Sequence, residues 1–207
     1  MILSKKAEAH FRGSVSEDLL LKISQNPDFL TEPVMHEMTV LLFSLPGMLA
    51  ATAKMDPVEL VKAAADSIEA VKREVIEHDG VVHAFMGNYF EAYFGAPLED
   101  PLHAEKALQA ALKLQARRFA PFGAPALTLC SGPLTYGPGP KPKNQLSAAG
   151  LPLKSAHGIA PQVPEGKIYL NEAAAQHAKS AGLKISRTLE LKIEGLGHPV
   201  KAFELSA

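Results

Sequence analysis

The sequence predicts an α+β domain with a central, mostly antiparallel sheet and packed helices, ferredoxin-like at its centre. Two observations lead to this prediction. Segments with strand and helix signatures alternate in the order β-α-β-β-α-β, and two of the strands flank a three-residue turn typical of a β-hairpin. The 207 residues contain no long linker, so we expect a helical extension, residues 1–35, followed by one domain, residues 36–207, with its helices on one side of the sheet.

Composition excludes several classes of partner. Apolar residues make up 47% of the chain, and 21 Lys and Arg balance 22 Asp and Glu, so no overall field would attract nucleic acid or an anionic membrane. The long apolar run, residues 38–53, is shorter than the roughly 20 residues that cross a bilayer, and it contains Pro46 and Gly47. With Cys130 as the only cysteine, we expect a cytoplasmic protein that binds neither nucleic acid nor membrane.

The extension and the first strand have clear signals. Ser16 is placed to cap a short helix that carries Leu19, Leu20 and Ile23 and ends near Asn26. Residues 38–43, MTVLLF, form a nearly continuous apolar run typical of a strand that is buried on both faces or lies centrally in a sheet.

The next helix begins at Asp56 and Pro57, with Glu59 completing a capping-box pattern. Its apolar residues recur every three or four positions until Gly80 ends it: Leu60, Ala64, Ile68, Val71 and Val75. One face of this helix should therefore be buried.

A hairpin and a second helix follow. Residues 81–85 and 89–94 are apolar and aromatic runs on either side of Met86-Gly87-Asn88. We expect the hairpin aromatics to pack mainly in the core, with some reaching a dimerisation surface. Asp100-Pro101 then begins a helix that extends up to Arg118.

The segment after the strand at residues 127–130 has two interpretations. Its Gly- and Pro-rich sequence, SGPLTYGPGPKPKNQ, is typical of an extended loop or of the tip of a long hairpin. Phosphate binding by Lys141 or Lys143 is less favoured, because the G-K-[ST] ending of a P-loop is missing. Residues 146–160 are only weakly helical.

The chain ends with a strand, a helix and a strand pair. Residues 167–170 form the strand, and Asn171 caps a short Ala-rich helix. Residues 183–193 and 200–205 predict the final strand pair, on either side of EGLGHP.

Several local strings, in this order, resemble the class III adenylate and guanylate cyclase catalytic domain. They are MTVLLFSLPGM, HDGVVHAFMGNYFEAYFGAP, DPLHAEKALQAAL, PEGKIYLNEAA and LELKIEGLGHPVKAFEL. The resemblance covers residues 36–205 and implies the class III nucleotidyl cyclase fold. In that family two aspartates hold two divalent cations, further side chains select the base and stabilise the transition state, and the groups meet at a dimer interface.

At the positions that match the metal aspartates, this chain has other residues. The first should follow Ser44, but the sequence continues with Leu45-Pro46-Gly47, so this aspartate is either substituted or deleted. The second falls at Asn88, whose neutral amide is a poor ligand for a divalent cation. The base-reading lysine falls at Ala84.

The remaining positions follow from alignment backwards from PEGKIYL. Leu151 matches the second base-reading residue, Lys154 the asparagine and Gly158 the arginine, and no Asp, Glu or Arg occurs between residues 146 and 162. The resemblance therefore implies a vestigial cleft that comprises Ser44, Leu45, Ala84, Asn88, Leu151, Lys154 and Gly158.

The expected function is that of a catalytically inactive cyclase-homology domain, a dimerisation or regulatory module in signalling. Losing one preorganised electrostatic group commonly costs about 10²–10³ in rate, so losing both metal carboxylates should abolish turnover. We expect no catalytic residue, no metal, no cofactor, a homodimer and a possible protein partner. One alternative is a nucleotide or small-anion sensor in which Lys154 and His157 bind the anion without metal. A second alternative is a residual cyclase.

Overall fold

An eight-stranded sheet organises the fold, and the computed structural model describes residues 5–26, 32–86, 89–139 and 146–206. The strands lie in the order β2-β3-β1-β4-β6-β8-β7, with β5 paired to β4, and only the β4–β6 pair is parallel among the described strands. The predicted mostly antiparallel α+β architecture is therefore confirmed. The strands are β1 (Val34–Ser44), β2 (Val81–Met86), β3 (Tyr89–Phe94), β4 (Ala126–Pro138), β5 (Leu146–Ala149), β6 (Ile168–Leu170), β7 (Ile185–Leu191) and β8 (Val200–Leu205).

Three helices begin where the sequence supplies a capping side chain. Ser16 accepts a hydrogen bond from the Leu19 amide, Asp56 from the Val58 and Glu59 amides, and Asn171 from the Ala174 amide, so these three predicted caps are confirmed. The helices are α1 (Lys5–Phe11), α2 (Glu17–Gln25), α3 (Gly47–Thr52), α4 (Pro57–Glu77), α5 (His103–Gln115), α6 (Leu151–Ile159) and α7 (Glu172–Ser180). None of these helices is long and apolar enough to span a bilayer.

Helices cover both faces of the sheet, so the prediction of helices on one side is wrong. Alternate residues of β1 belong to two separate apolar clusters: Leu41 and Phe43 pack with α4, α5 and α7, whereas Val40 and Leu42 pack with α1, α2 and α6. The continuous apolar run in β1 follows from this double burial, because neither face of the strand meets water.

Three boundaries differ from the sequence prediction. Strand β4 continues through the Gly- and Pro-rich segment to Pro138 and pairs with β5, which makes the long-hairpin interpretation correct, although Lys141 and Lys143 lie outside the described residues. The weak helix predicted at residues 146–160 is a strand followed by the regular helix α6. Helix α5 begins at His103 rather than at Asp100, whose carboxylate accepts a hydrogen bond from the Leu102 amide before the helix.

The N-terminal helices pack on the domain itself. Phe11, Leu20 and Ile23 are buried in the same cluster as Val40. The Ser14 carbonyl accepts a hydrogen bond from the Val82 amide at 2.8 Å, and the Ser16 hydroxyl donates one to Asp79 at 3.0 Å. The extension thus adds apolar area to one face of the sheet and contacts its edge strand, β2.

Candidate functional site

The C-terminal end of strand β1 is buried in the core. Ser44 is the last residue of the strand, between Tyr89 and Ala126 on the neighbouring strands. Leu45 follows it and is only 3% exposed. Leu45 lines a cavity of only about 10 Å³ together with Phe43, Met48, Ala64, Ser67, Ile68, Val71, Phe85 and Phe90. The position where the resemblance implies a metal aspartate is therefore occupied by a leucine in apolar surroundings.

The β2–β3 hairpin forms as predicted, but its turn is not described. Gly87 and Asn88, and with them the second implied metal position, lie outside the described residues. Ala84 lies directly opposite Glu91, after an irregularity in the strand register between Val82 and Ala84. Ala84 and Glu91 therefore share one face of the sheet. Ser44 lies on that face too, because its partner Tyr89 is two residues from Glu91 in β3 and points to the same side.

Glu91 is the charged centre of this face. It is 3% exposed, accepts a hydrogen bond from the Tyr93 hydroxyl, and lies 2.9 Å from Nε2 of His157 on α6 and 3.9 Å from Nε2 of His83. Burial alone would raise the pKa of Glu91, but the hydrogen bonds from His157 and Tyr93 and the nearby His83 outweigh it, and the net pKa is lowered. Glu91 is therefore ionised at neutral pH and joins α6 to the sheet.

Aromatic rings surround this carboxylate. The rings of His83 and Tyr93 are 5.2 Å apart and those of Tyr93 and Tyr136 are 5.3 Å apart. Burial is the main cause of the lowered pKa of His83, and burial followed by the charge of Glu91 raises the pKa of both tyrosines. His83 and the two tyrosines are thus neutral at pH 7, and Glu91 receives its hydrogen bonds from Tyr93 and His157.

Helix α6 presents the remaining predicted positions to different partners. Lys154 donates from Nζ to the Gly195 carbonyl at 2.9 Å. Gly158 packs so closely against Ile193 that a Cβ there would lie 2.2 Å from Cγ2 of Ile193. Leu151, at the start of the helix, is 65% exposed.

The structure brings only part of the implied cleft together. Of its residues, Ser44 and Ala84 lie on the face that carries Glu91, and His157 of the anion-site hypothesis lies over that face. Lys154 and Gly158 instead contact the loop between β7 and β8. The two residues of the anion-site hypothesis, Lys154 and His157, therefore each have a partner inside the fold.

Sequence reasoning missed Glu91. The run YFEAYF predicted an apolar strand, and its single acidic residue was not predicted to be part of a site. Strand alternation places Glu91 on the same face as Tyr93, and a β3 buried on both faces leaves no solvated side for a carboxylate. That alternation was the available signal.

The described residues contain no group of three or more His, Cys, Asp or Glu side chains that could hold a metal ion. Glu91 has two histidines near it, but its oxygens accept hydrogen bonds from Tyr93 and His157. The chemistry that this face supports is the positioning of α6 by a buried charge.

Comparison of the structure with solved structures identifies the fold. The chain superposes on the guanylyl cyclase Cya2 with a TM-score of 0.74 at 17% identity, over 84% of this chain and 94% of that one. The chain superposes on the adenylyl cyclase CyaB from P. aeruginosa with a TM-score of 0.74 at 14% identity, over 85% of this chain and 96% of that one. A non-canonical dimeric guanylyl cyclase domain of the RhoGC fusion protein from Blastocladiella emersonii superposes with a TM-score of 0.69 at 16% identity, over 84% of this chain and 97% of that one.

These comparisons confirm the fold that the resemblance implied: the chain has the fold of class III adenylyl and guanylyl cyclase catalytic domains. No protein-family model matches the sequence, and no curated protein matches it. A shared fold at this level of identity does not carry an activity with it.

Proposed function

We propose that this chain is a catalytically inactive cyclase-homology domain that acts as a dimerisation or regulatory module in cytoplasmic signalling. The observation that carries the proposal is Leu45, which is buried among apolar side chains at the implied position of a metal carboxylate. A divalent cation needs several oxygen ligands at this point, and a leucine supplies none.

The implied transition-state positions support the same proposal. Gly158 has no side chain and lies against Ile193, and Lys154 is engaged with the Gly195 carbonyl. Without a positioned cation and without a cationic group on the α-phosphate, the charge that develops during cyclisation would have no stabilising partner.

The direct test is incubation of the purified chain with ATP or GTP and Mn²⁺, followed by chromatography for cyclic nucleotide. We expect no product above a protein-free blank. The variant Asn88→Asp should also form none, because the groups implied at Leu45 and Gly158 are still missing. Mn²⁺-dependent product from either protein would support the residual-cyclase alternative instead.

An exposed apolar surface supports the dimer part of the proposal. Elements α3, α4 and β2 meet around the small cavity beside Leu45, and each carries exposed apolar side chains. These are Leu49, Val58, Val61 and Phe85, which are 83%, 77%, 68% and 44% exposed. Exposed apolar side chains on neighbouring elements are typical of protein interaction sites.

Sedimentation at tens of micromolar tests the dimer. We expect a dimer that Phe85→Glu weakens, whereas Leu102→Glu, at a side chain of similar exposure on the start of α5, should leave the association unchanged. A monomeric wild-type chain would contradict this part of the proposal.

The sensor alternative has less support, because Lys154 and His157 already contact Gly195 and Glu91. A nucleotide would have to replace these contacts. Thermal stabilisation of the wild type by millimolar ATP or GTP without metal, lost in Lys154→Met, would favour the sensor.

A further inference from the structure

The sheet has a gap beside β4. On one side β4 pairs with β6 at residues 127–129 and with β5 at residues 135–138, so residues 130–134 have no strand partner there in the described part of the chain. The Asn171 side chain occupies the first part of the gap, where it accepts from the Ser131 amide at 3.0 Å and donates to the Ser131 carbonyl at 2.8 Å.

Beyond Asn171 the gap opens into a cleft of about 620 Å³. Its walls are largely apolar and include Pro133, Leu151, Pro152, Leu196 and Val200. Gly132 allows Pro152 to approach, since a Cβ at residue 132 would lie 2.9 Å from Cγ of Pro152. A cleft of this volume and lining suits a small molecule with an apolar body.

Two helices begin at this cleft. Leu151 and Pro152 of α6 line it, and α6 has no side-chain cap. Glu172 and Ala173, the first residues of α7, line it from the other side. Each helix has nine residues. Because both N-termini line the cleft, their partial positive charges act on the same space.

A hydroxyl donor lies at the wall of the same space. Ser155 lines the cleft, is only 6% exposed, and its hydroxyl makes no hydrogen bond to any described residue. Lys201 also lines the cleft and has no ion-pair partner within the described ranges. The Ser155 hydroxyl is therefore available to donate a hydrogen bond to a molecule in the cleft.

We propose that this cleft binds a small organic monoanion, a molecule with an apolar body and one carboxylate. The carboxylate would accept hydrogen bonds from Ser155 and from the first amides of α6 or α7, with Lys201 adding its charge. Glu37, Glu172 and His198 also line the cleft. Glu37, Glu172 and Lys201 are all exposed, so water screens the three charges alike, and repulsion by the two glutamates is larger for a polyphosphate than for a monoanion. This proposal is independent of catalysis and of dimerisation.

Three probes of equal length separate charge from apolar contact: octanoate, octanol and octylammonium. Each is titrated into the ¹⁵N-labelled full chain while backbone amide shifts are followed. We expect octanoate to saturate shifts at residues 131–133, 171–173 and 196–201. Two helix ends and one lysine should together make octanoate bind about tenfold more tightly than octanol. Equal or tighter binding of octanol, octylammonium or ATP, or shifts centred elsewhere, would overturn the proposal.

Matched variants locate the site. Ala173→Phe places a ring in the cleft from a half-exposed helical position and should abolish the octanoate shifts, whereas Ala65→Phe, on the exposed side of α4, should not. Lys201→Met should reduce octanoate affinity several-fold without changing octanol affinity, and the exposed Lys62→Met is its control. Unchanged octanoate binding by Lys201→Met or by a folded Ala173→Phe would refute the assignment.

Discussion

Replacing Glu91 by alanine should destabilise the fold strongly. The substitution removes the acceptor of the Tyr93 hydroxyl, which belongs to a residue with 0% exposure, and the partner of His157 on α6. An orphaned buried hydroxyl costs about 1–3 kcal/mol, and the lost hydrogen bond from half-exposed His157 adds about 1 kcal/mol. The vacated volume adds roughly 1 kcal/mol. The expected loss in the free energy of unfolding is therefore about 3–5 kcal/mol, a large part of the roughly 5–15 kcal/mol of a typical domain.

Urea denaturation of a small set of variants isolates the interaction. Glu91→Ala, Tyr93→Phe and the double variant form a thermodynamic cycle in which we expect a coupling free energy of about 1–3 kcal/mol. Glu190→Ala, at an exposed position of β7, is the matched control and should change stability by less than about 0.5 kcal/mol. A coupling below about 0.5 kcal/mol, or equal losses for Glu91 and Glu190, would refute the assignment of Glu91 as the charged centre.

The pH dependence of this contribution has a definite sign. The pKa of Glu91 is lower in the folded chain than in the unfolded one, because the hydrogen bonds of the carboxylate outweigh burial. Its stabilisation is therefore complete above the unfolded pKa and is lost as the pH falls through the folded pKa. Glu91→Gln should lose this acid-dependent part while retaining the shape of the side chain.

Three further predictions concern other positions. Leu45→Asp buries a carboxylate among apolar side chains and should cost at least about 3 kcal/mol by urea denaturation, without producing Mn²⁺-dependent turnover. Gly158→Ala should lower the unfolding free energy by about 1–3 kcal/mol because of the contact with Ile193, and the same substitution should cost less in an Ile193→Ala background. Burial, and then the nearby His177, lower the pKa of His103, so the wild type should lose stability between pH 7 and 5 as the unfolded chain takes up the proton, and His103→Gln should reduce that slope.

Most of the fold could be predicted because its signals are local. Ser16, Asp56 and Asn171 cap helices through their own side chains, and the apolar periodicity of α4 identifies its buried face. The course of β4 through Gly132 and Pro133 could not be predicted in the same way. Those residue types disfavour a strand locally, and it is the antiparallel pairing with the whole of β1 that holds them in one.

The candidate site was predictable only in part. The resemblance implies functional groups at or near Leu45 and Gly158 that these two residues do not supply, and sequence reasoning recognises that difference. What replaced those groups depends on contacts distant in sequence: Gly158 meets Ile193, and Glu91 meets His157 across 66 residues. The helices on both faces were signalled by the apolar β1, since a strand without a polar face needs cover on each side.

The replacements at the implied cleft are structurally connected, and this bears on whether activity could be restored. A side chain at residue 158 would displace Ile193 of the β7–β8 loop, and the same loop holds Lys154 through the Gly195 carbonyl. A carboxylate at residue 45 would enter the apolar cluster that includes Phe43. Each restored catalytic group would therefore cost stability before it could stabilise a transition state, and groups that act as a unit bring no rate one at a time. Packing thus opposes a carboxylate at residue 45 and a side chain at residue 158, which is consistent with the proposed function.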